Sequence, residues 1–302
     1  MDFLNRLLGT EVALRRWSWA SLVANIGIIV TGAIVRLTAS GLGCSTWPQC
    51  NDAAYVPHGA ISHHSLIEFG NRLLTFVLII IAVACWITAR RVTVDDPRGR
   101  LVRRLTLLVA LGIPFQGVIG GVTVLSGLNP FVVALHLLLS LVLVVLIVRL
   151  LFAVTAEVPD TVGRLDRTLG VATFALMMVA CWLGTVVTGS GPHAGDGGAA
   201  RTGFDIEVVA RIHSATVWLT VLLTVTVLVR AWRAGHRVVR RWATALVGVE
   251  LVQAGIGYLQ FFTGLPAGVV LLHLLGAGLA AAAAASVMYS SRHDSRLTRA
   301  AA

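Results

Sequence analysis

Eight apolar stretches dominate this chain, and each is long enough to cross a bilayer. A helix needs about 20 apolar residues to span the hydrocarbon core. The chain is 57% hydrophobic and 13% charged, which excludes a soluble globular protein, and no amphipathic soluble domain fits between the stretches. We therefore predict an all-α polytopic membrane protein whose eight transmembrane helices lie over residues 17–37, 66–89, 105–125, 131–153, 169–189, 208–231, 242–262 and 268–290.

Every basic residue is an arginine, and the arginines favour one side of the membrane. The loops 38–64, 126–130, 190–207 and 263–267 contain only Arg201, whereas the alternate loops and both termini are rich in arginine. By the positive-inside rule we expect both termini to be cytoplasmic in a bacterial plasma membrane. The net charge of +10 then reflects topology, and we expect no nucleic-acid partner. The N-terminus shows no cleavage pattern separate from the first span, so we expect no removable signal peptide.

The chain contains an internal duplication. Residues 116–138 contain QGVIG, SGL and VVALHLL, and residues 253–275 contain QAGIG, TGL and VVLLHLL in the same order. In each copy the glutamine precedes the histidine by twenty residues: Gln116 precedes His136, and Gln253 precedes His273. We predict two homologous four-helix halves, over 1–155 and 156–302.

Polar side chains recur at one depth in the predicted helices 2, 4, 6 and 8. Asn71, His136, His213 and His273 each lie roughly five residues, or about 8 Å, inside the outer end of their helix. A single histidine could equally be a hydrogen-bonded core residue or a ligand. Three at one depth favour ligands for metal or haem iron, because bundles place cofactor ligands on facing helices. We expect His213 and His273 to form a bis-histidine pair.

Charged residues accompany this layer. Glu68 precedes Arg72 by four residues, a spacing that allows pairing on one helix face, and Glu207 and Arg211 repeat it. An ion pair near the membrane interface is one interpretation. The other assigns Arg72, Arg211 and Arg36 to ligand carboxylates and leaves Glu68 beside a reacting centre.

Three further groups of residues have alternative interpretations. Cys44 and Cys50, six apart in the first outer loop, favour a disulfide on the oxidising side, with a redox-active thiol pair or a metal site as alternatives. Glu250 lies in mid-span, where we expect a buried protonated acid rather than a catalyst. The glycines after Gln116 and Gln253 suit close helix packing, or contact with a flat macrocycle.

Several of these motifs together resemble the haem A synthase family over nearly the whole chain. They are GLGCSTWPQC at 41–50, IEFGNR at 67–72, GSGPH at 189–193, and the histidines of helices 4, 6 and 8. The resemblance implies oxidation of the haem O methyl group to the formyl group of haem A, for cytochrome oxidase. It also implies a haem b cofactor on His213 and His273, and a substrate haem in the first half at His136 and the position of Asn71.

The resemblance further implies a role for Glu68 and a set of partners. Glu68 would stabilise positive charge at the oxidised methyl carbon or shuttle a proton. Haem O synthase, cytochrome oxidase assembly factors and an electron donor are the implied partners, besides the lipid bilayer; a homo-oligomer is left open. The family usually has histidine where this chain has Asn71. That difference is explained by a five-coordinate iron, by loss of the site, or by substitution from His64.

Two other functional classes fit the histidine layer. A di-haem b electron-transfer protein would explain the histidines but would leave Glu68 and the cysteine pair without a role. A haem transporter or assembly chaperone would use the cysteine loop for docking or relay.

Overall fold

Eight long helices make up most of the protein in the computed structural model, which describes residues 6–51, 54–57, 62–155 and 157–293. Each of the eight is long and apolar enough to cross a membrane, which confirms the predicted fold class. Arg296 and Arg299 of the arginine-rich C-terminus lie outside the described part, as do the first five residues of the chain. The helices are α1 (Glu11–Leu37), α2 (His63–Val92), α3 (Pro97–Leu125), α4 (Pro130–Val154), α5 (Arg164–Ser190), α6 (Ile206–Arg233), α7 (Arg237–Phe262) and α8 (Ala267–Tyr289).

The helices extend beyond the predicted apolar spans, chiefly at their arginine-bearing ends. Helix α3 starts at Pro97 instead of 105, and α7 at Arg237 instead of 242. The reason is that apolar length measures only the hydrocarbon crossing, whereas capping side chains set the helix ends. A side-chain oxygen of the preceding residue accepts a first-turn N–H bond at Thr10, Ser62, Asp96 and Asn129.

The chain forms two compact units, here called the first and second unit. The first consists of residues 1–155 together with 185–206, and the second of 156–184 together with 207–302. In the first unit α1 to α4 pack in chain order, and α1 also packs on α4, which closes a four-helix bundle. The two compact units are not the same division as the predicted halves, 1–155 and 156–302, because residues 185–206 belong to the first unit. The halves stay a prediction.

Burial within each unit is uneven along the helices. In α4 most residues from 141 to 153 are buried, whereas none of the described residues 131–140 is. The second unit follows the same rule: its core includes Val227, Leu246 and Ala284, and none of the described residues 207–219 and 251–275 is buried. In α4 and in α6 to α8 of the second unit, the sparsely buried end is therefore the end that carries the histidines.

A short parallel strand pair closes the opposite end of the second unit. Strand β1 (Asp160–Val162) pairs with β2 (Ser291–His293). The carboxylate of Asp160 accepts N–H bonds from Val238 and Val239 in the first turn of α7, at 2.8 and 2.9 Å. A carboxylate there also stabilises the positive end of the helix dipole.

The loop between α1 and α2 is closed by a disulfide between Cys44 and Cys50. Between them, the Trp47 ring packs on Gly121 of α3 so closely that a Cβ at that position would overlap it. Gly121 is therefore required for the seating of the loop on the bundle.

We expect Cys44 and Cys50 to be joined in the protein isolated from cells, because the loop lies on the oxidising side in our predicted topology. Closing so short a loop stabilises the fold by only about 2 to 3 kcal/mol, so a Cys44→Ser/Cys50→Ser variant should still fold, with a lower melting temperature, and should lose activity more than folding. Mass spectrometry after alkylation without reductant measures the bond. Full alkylation of both thiols under those conditions would show that the pairing is wrong, and Cys85 and Cys181, which are free, serve as internal controls.

Candidate functional site

The imidazoles of His213 and His273 face each other in the second unit. Their ring centroids are 6.4 Å apart and the ring planes are nearly perpendicular, at 83°. His213 is the eighth residue of α6 and His273 the seventh of α8. Both lie slightly deeper than the five residues predicted, because the helices begin earlier than the apolar spans.

A hydrogen bond sets the orientation of His213. Its Nδ1 lies 3.0 Å from the carbonyl oxygen of Ala180 on α5. Because a carbonyl can only accept, Nδ1 carries the proton and Nε2 keeps its lone pair. This is the arrangement typical of a metal-ligating imidazole. The Nδ1 atom of His273 is buried and has no hydrogen-bond partner.

The spacing of the pair fits iron held between two imidazoles. Two rings that each lie about 2 Å from a shared transition metal have centroids about 6 Å apart. Nowhere in the described residues do three His, Cys, Asp or Glu side chains converge on a metal site. Two protein ligands suffice when a macrocycle supplies the others, as in haem proteins.

Each layer histidine lies against a glycine of the preceding helix. A Cβ added to Gly184 would be 3.4 Å from Cε1 of His213, and one added to Gly257 would be 3.6 Å from Cε1 of His273. Gly120 stands in the same relation to His136, at 3.5 Å. These are ordinary van der Waals distances, so each imidazole lies close to the backbone of the preceding helix at a glycine. Sequence reasoning missed Gly184, because it lies outside the two repeated segments, 116–138 and 253–275.

In the first unit, His136 lies on α4 with its Nδ1 buried and without a hydrogen-bond partner. The Gln116 side chain donates to the His136 carbonyl oxygen at 3.4 Å. In the second unit, the Gln253 amide packs so tightly on Gly276 of α8 that a Cβ there would overlap it. The repeated glutamine therefore contacts the histidine-bearing helix in both copies.

Asn71 is engaged with the neighbouring helix. Its Oδ1 accepts a 2.7 Å hydrogen bond from the hydroxyl of Thr31 on α1. The Nδ1 atom of His64 lies 3.0 Å from the Ser40 hydroxyl. These contacts give both side chains a structural role within the first unit.

The Glu68 carboxylate connects α2 to the disulfide loop. Glu68 is 5% exposed, and its Oε1 accepts from Arg72 at 2.6 Å. Its Oε2 accepts from the Cys44 backbone N–H at 2.5 Å. Arg72 donates in turn to the carbonyls of Thr46 and Gln49, at 3.0 and 3.2 Å. The ion pair therefore fastens the loop, as the ion-pair interpretation requires.

The other two arginines differ in their surroundings. Arg36 donates from Nε to the His193 carbonyl and from Nη2 to the Thr188 carbonyl, the latter at 2.7 Å. Arg211 pairs with Glu207 at 3.2 Å, and both side chains are exposed, at 78% and 64%. An exposed pair contributes little to stability, so Arg211 can change partner at small cost.

Comparisons with known proteins identify relatives of the chain. The family model described as cytochrome oxidase assembly protein, COX15-CtaA, matches residues 15–285. The chain is 34% identical over 136 residues to a heme A synthase of Lysinibacillus sphaericus, covering 42% of this chain and 41% of the relative. A heme A synthase of Geobacillus kaustophilus is 27% identical over 167 residues, covering 54% and 48%.

A third relative is a heme A synthase of Listeria monocytogenes, 28% identical over 149 residues, covering 47% of this chain and 46% of the relative. The chain thus aligns with about half the length of these curated relatives. The family model, in contrast, covers six of the eight helices in full and most of α1 and α8. The chain therefore belongs to the COX15-CtaA family of cytochrome oxidase assembly proteins, the haem A synthase family that its motifs predicted.

Proposed function

We propose that this protein is a haem A synthase, which oxidises the methyl group of haem O to the formyl group of haem A. The observation that carries the proposal is the pair of facing imidazoles, His213 and His273, 6.4 Å apart, in a chain of this family. The similarity to heme A synthases of other bacteria supports the same reaction.

In the second unit, His213 and His273 would be the axial ligands of haem b. When bound, haem b would supply one-electron transfer. The Ala180 carbonyl holds the His213 ring so that Nε2 presents its lone pair. Gly184 and Gly257 let the two rings lie close to the preceding helices, and the residues 207–219 and 251–275 around them are unburied. A flat apolar group could therefore enter without disrupting a packed core. Arg211, exposed on α6, would bind a propionate.

In the first unit, His136 would bind the iron of the substrate haem O, with Asn71 on the facing side of the site. Arg36 and Arg72 would bind its propionates. The two carbonyl bonds of Arg36 use two of the five N–H donors of a guanidinium. A carboxylate can pair with the remaining donors while the carbonyls hold the side chain in place.

Glu68 would act on the reacting methyl carbon through its charge. Arg72 and the Cys44 N–H both stabilise the carboxylate form, and a fixed carboxylate in a water-poor site stabilises developing positive charge strongly. The same contacts make Glu68 the anchor of the disulfide loop. We propose both roles, and the variants below separate them.

The cellular setting follows from the arginine distribution. With both termini in the cytoplasm of the bacterial plasma membrane, the histidine layer and the disulfide loop lie near the outer face. Haem O would be received from haem O synthase, and haem A passed to cytochrome oxidase assembly factors. A membrane electron donor would serve the haem of the second unit.

Haem analysis of cells tests the proposal directly. A strain lacking this gene should accumulate haem O and lack haem A, and re-expression should restore haem A, as measured by liquid chromatography and mass spectrometry. Persistent haem A in the deletion strain would exclude the assignment. Two bis-histidine b haems without any formyl product would indicate an electron-transfer protein instead.

His213→Ala and His273→Ala should each remove the low-spin bis-histidine haem signal of the purified protein. Each substitution deletes one of two axial ligands, and the small cavity left behind cannot supply another. Optical and electron paramagnetic resonance spectra measure the loss. His236→Ala is the matched control, because His236 lies at the start of α7, at the other end of that helix from Gly257. An unchanged low-spin spectrum in either layer variant would contradict the pairing.

Glu68→Gln should retain bound haem and lower haem A formation by roughly 10²–10³-fold, as other single electrostatic deletions do. Glutamine keeps an oxygen for the Cys44 N–H but removes the charge. Product analysis in membranes, normalised to folded protein, measures the effect. Glu207→Gln removes the corresponding acid of an exposed pair of the same spacing and should have near-normal activity. If Glu68→Gln destabilises the protein but each folded molecule remains active, Glu68 is only an anchor.

Asn71→His should move the haem of the first unit towards a six-coordinate, low-spin spectrum. The change restores the residue that the family usually has, and imidazole binds iron far better than an amide does. Resonance Raman spectra in a His213→Ala background isolate the first unit. A spectrum that stays five-coordinate would show that residue 71 does not face the iron.

A further inference from the structure

Among the positions that are buried in both duplicated helices, α3 and α7, one has a hydrocarbon side chain in α3 and an ionisable one in α7. The glutamine-to-histidine spacing aligns Gln116 with Gln253, and three residues earlier it aligns Ile113 with Glu250. Both side chains are almost completely buried, at 2% exposure each. The second unit therefore carries a carboxyl group in mid-membrane where the first carries a hydrocarbon. Ionisable residues inside a membrane are costly and usually functional.

The partner of Glu250 is suited to two protonation states. The Thr224 hydroxyl on α6 lies 2.9 Å from Oε1 of Glu250 and 2.9 Å from the Thr220 carbonyl oxygen. A hydroxyl has a single hydrogen and can also accept. It can donate to a Glu250 carboxylate, or donate to Thr220 while accepting from a Glu250 acid. Oε2 is buried without a hydrogen-bond partner, so no second donor fixes the group as a carboxylate and a proton can be accommodated there.

Few other titratable groups lie on the helices around Glu250. By sequence, α8 has none between His273 and Tyr289, and α6 has none between His213 and Arg230. Arg230 is paired with Asp166 at 2.5 Å.

Helices α5 and α7 complete this inventory. Between Arg167 and the end of α5 the titratable group is the Cys181 thiol, and α7 has only Glu250 between Arg241 and Tyr258. A charge change at this depth would therefore be a change at Glu250.

Glu250 also lies on the helix face that leads to the histidine pair. Gly257, which lies against His273, is seven residues further along α7, or about 10 Å on the same face. Gln253 lies between them and packs on Gly276, three residues from His273. In this apolar interior, charges about 10 Å apart interact more strongly than in water and are little screened by salt.

We propose that Glu250 is a proton-binding site coupled to the electron on the haem of the second unit. If an external one-electron donor reduced a haem held by His213 and His273, the Glu250 carboxylate would take one proton from water and form the O–H bond of the neutral acid. Oxidation reverses both changes, so the net charge of the buried region stays constant. The inference rests on the proposed binding of haem by His213 and His273.

Redox titration of the haem-loaded, full-length protein over a series of pH values tests this coupling. In the wild type, the midpoint potential of the low-spin haem should fall as pH rises, with proton uptake on reduction in weakly buffered solution. Glu250→Gln should make the potential independent of pH over that range and abolish the uptake. Glu250→Ile, which copies the first unit, should behave in the same way. Thr224→Val should displace the pH range by removing the hydroxyl partner.

Glu157→Gln is the control, because Glu157 belongs to the same unit but pairs with Arg241 near the start of α7; it should leave the pH dependence unchanged. A pH-independent wild-type potential, or an unchanged slope in both Glu250 variants, overturns the inference while leaving the haem site intact. The absence of a low-spin haem that depends on His273 overturns the proposed function, and this inference with it.

Discussion

The bilayer's inability to hydrogen-bond governs the rest of this structure. A polar atom in hydrocarbon must find its partner within the protein, or else remain unsatisfied at considerable cost. The carboxylate of Glu68 is satisfied by Arg72 and the Cys44 N–H, and the amide of Asn71 by the Thr31 hydroxyl. In contrast, Nδ1 of each of the two homologous histidines, His136 and His273, is buried without a hydrogen-bond partner, which is consistent with the ligand roles proposed above.

The two copies of the duplicated segment share one framework of helices but differ in the polar side chains that they carry. In both copies a histidine lies against a glycine of the preceding helix, as with Gly120 and Gly257. In the second copy, His273 lies beside a second histidine, His213, and the carboxyl group of Glu250 lies in mid-membrane. The first copy has the amide of Asn71 on α2, at the predicted depth of the histidines, and carries the disulfide loop. Such a division suits one unit that holds a cofactor and one that receives a substrate.

The sparsely buried histidine end of the second unit is as informative as its core. Apolar side chains fill the opposite half of each unit, for example around Leu246 in the second. At the histidine end, the described residues 207–219 and 251–275 include none that is buried. A protein interior normally packs as densely as an organic crystal, so the unburied residues around the His213–His273 pair are consistent with the proposed binding of a large flat ligand.

The sequence by itself determined the eight spans, the duplication, the family and the depth of the histidine layer, because hydrophobic length and repeat spacing are properties of the linear chain. Helix ends were displaced where capping residues such as Asp96 extend a helix past its apolar segment. Only the tertiary structure decided which groups meet: the Cys44 N–H with Glu68, the Ala180 carbonyl with His213, and the Gly184 face with the same ring. These partners are 24 to 33 residues apart in the chain, and packing between helices brings them together, which no local pattern encodes.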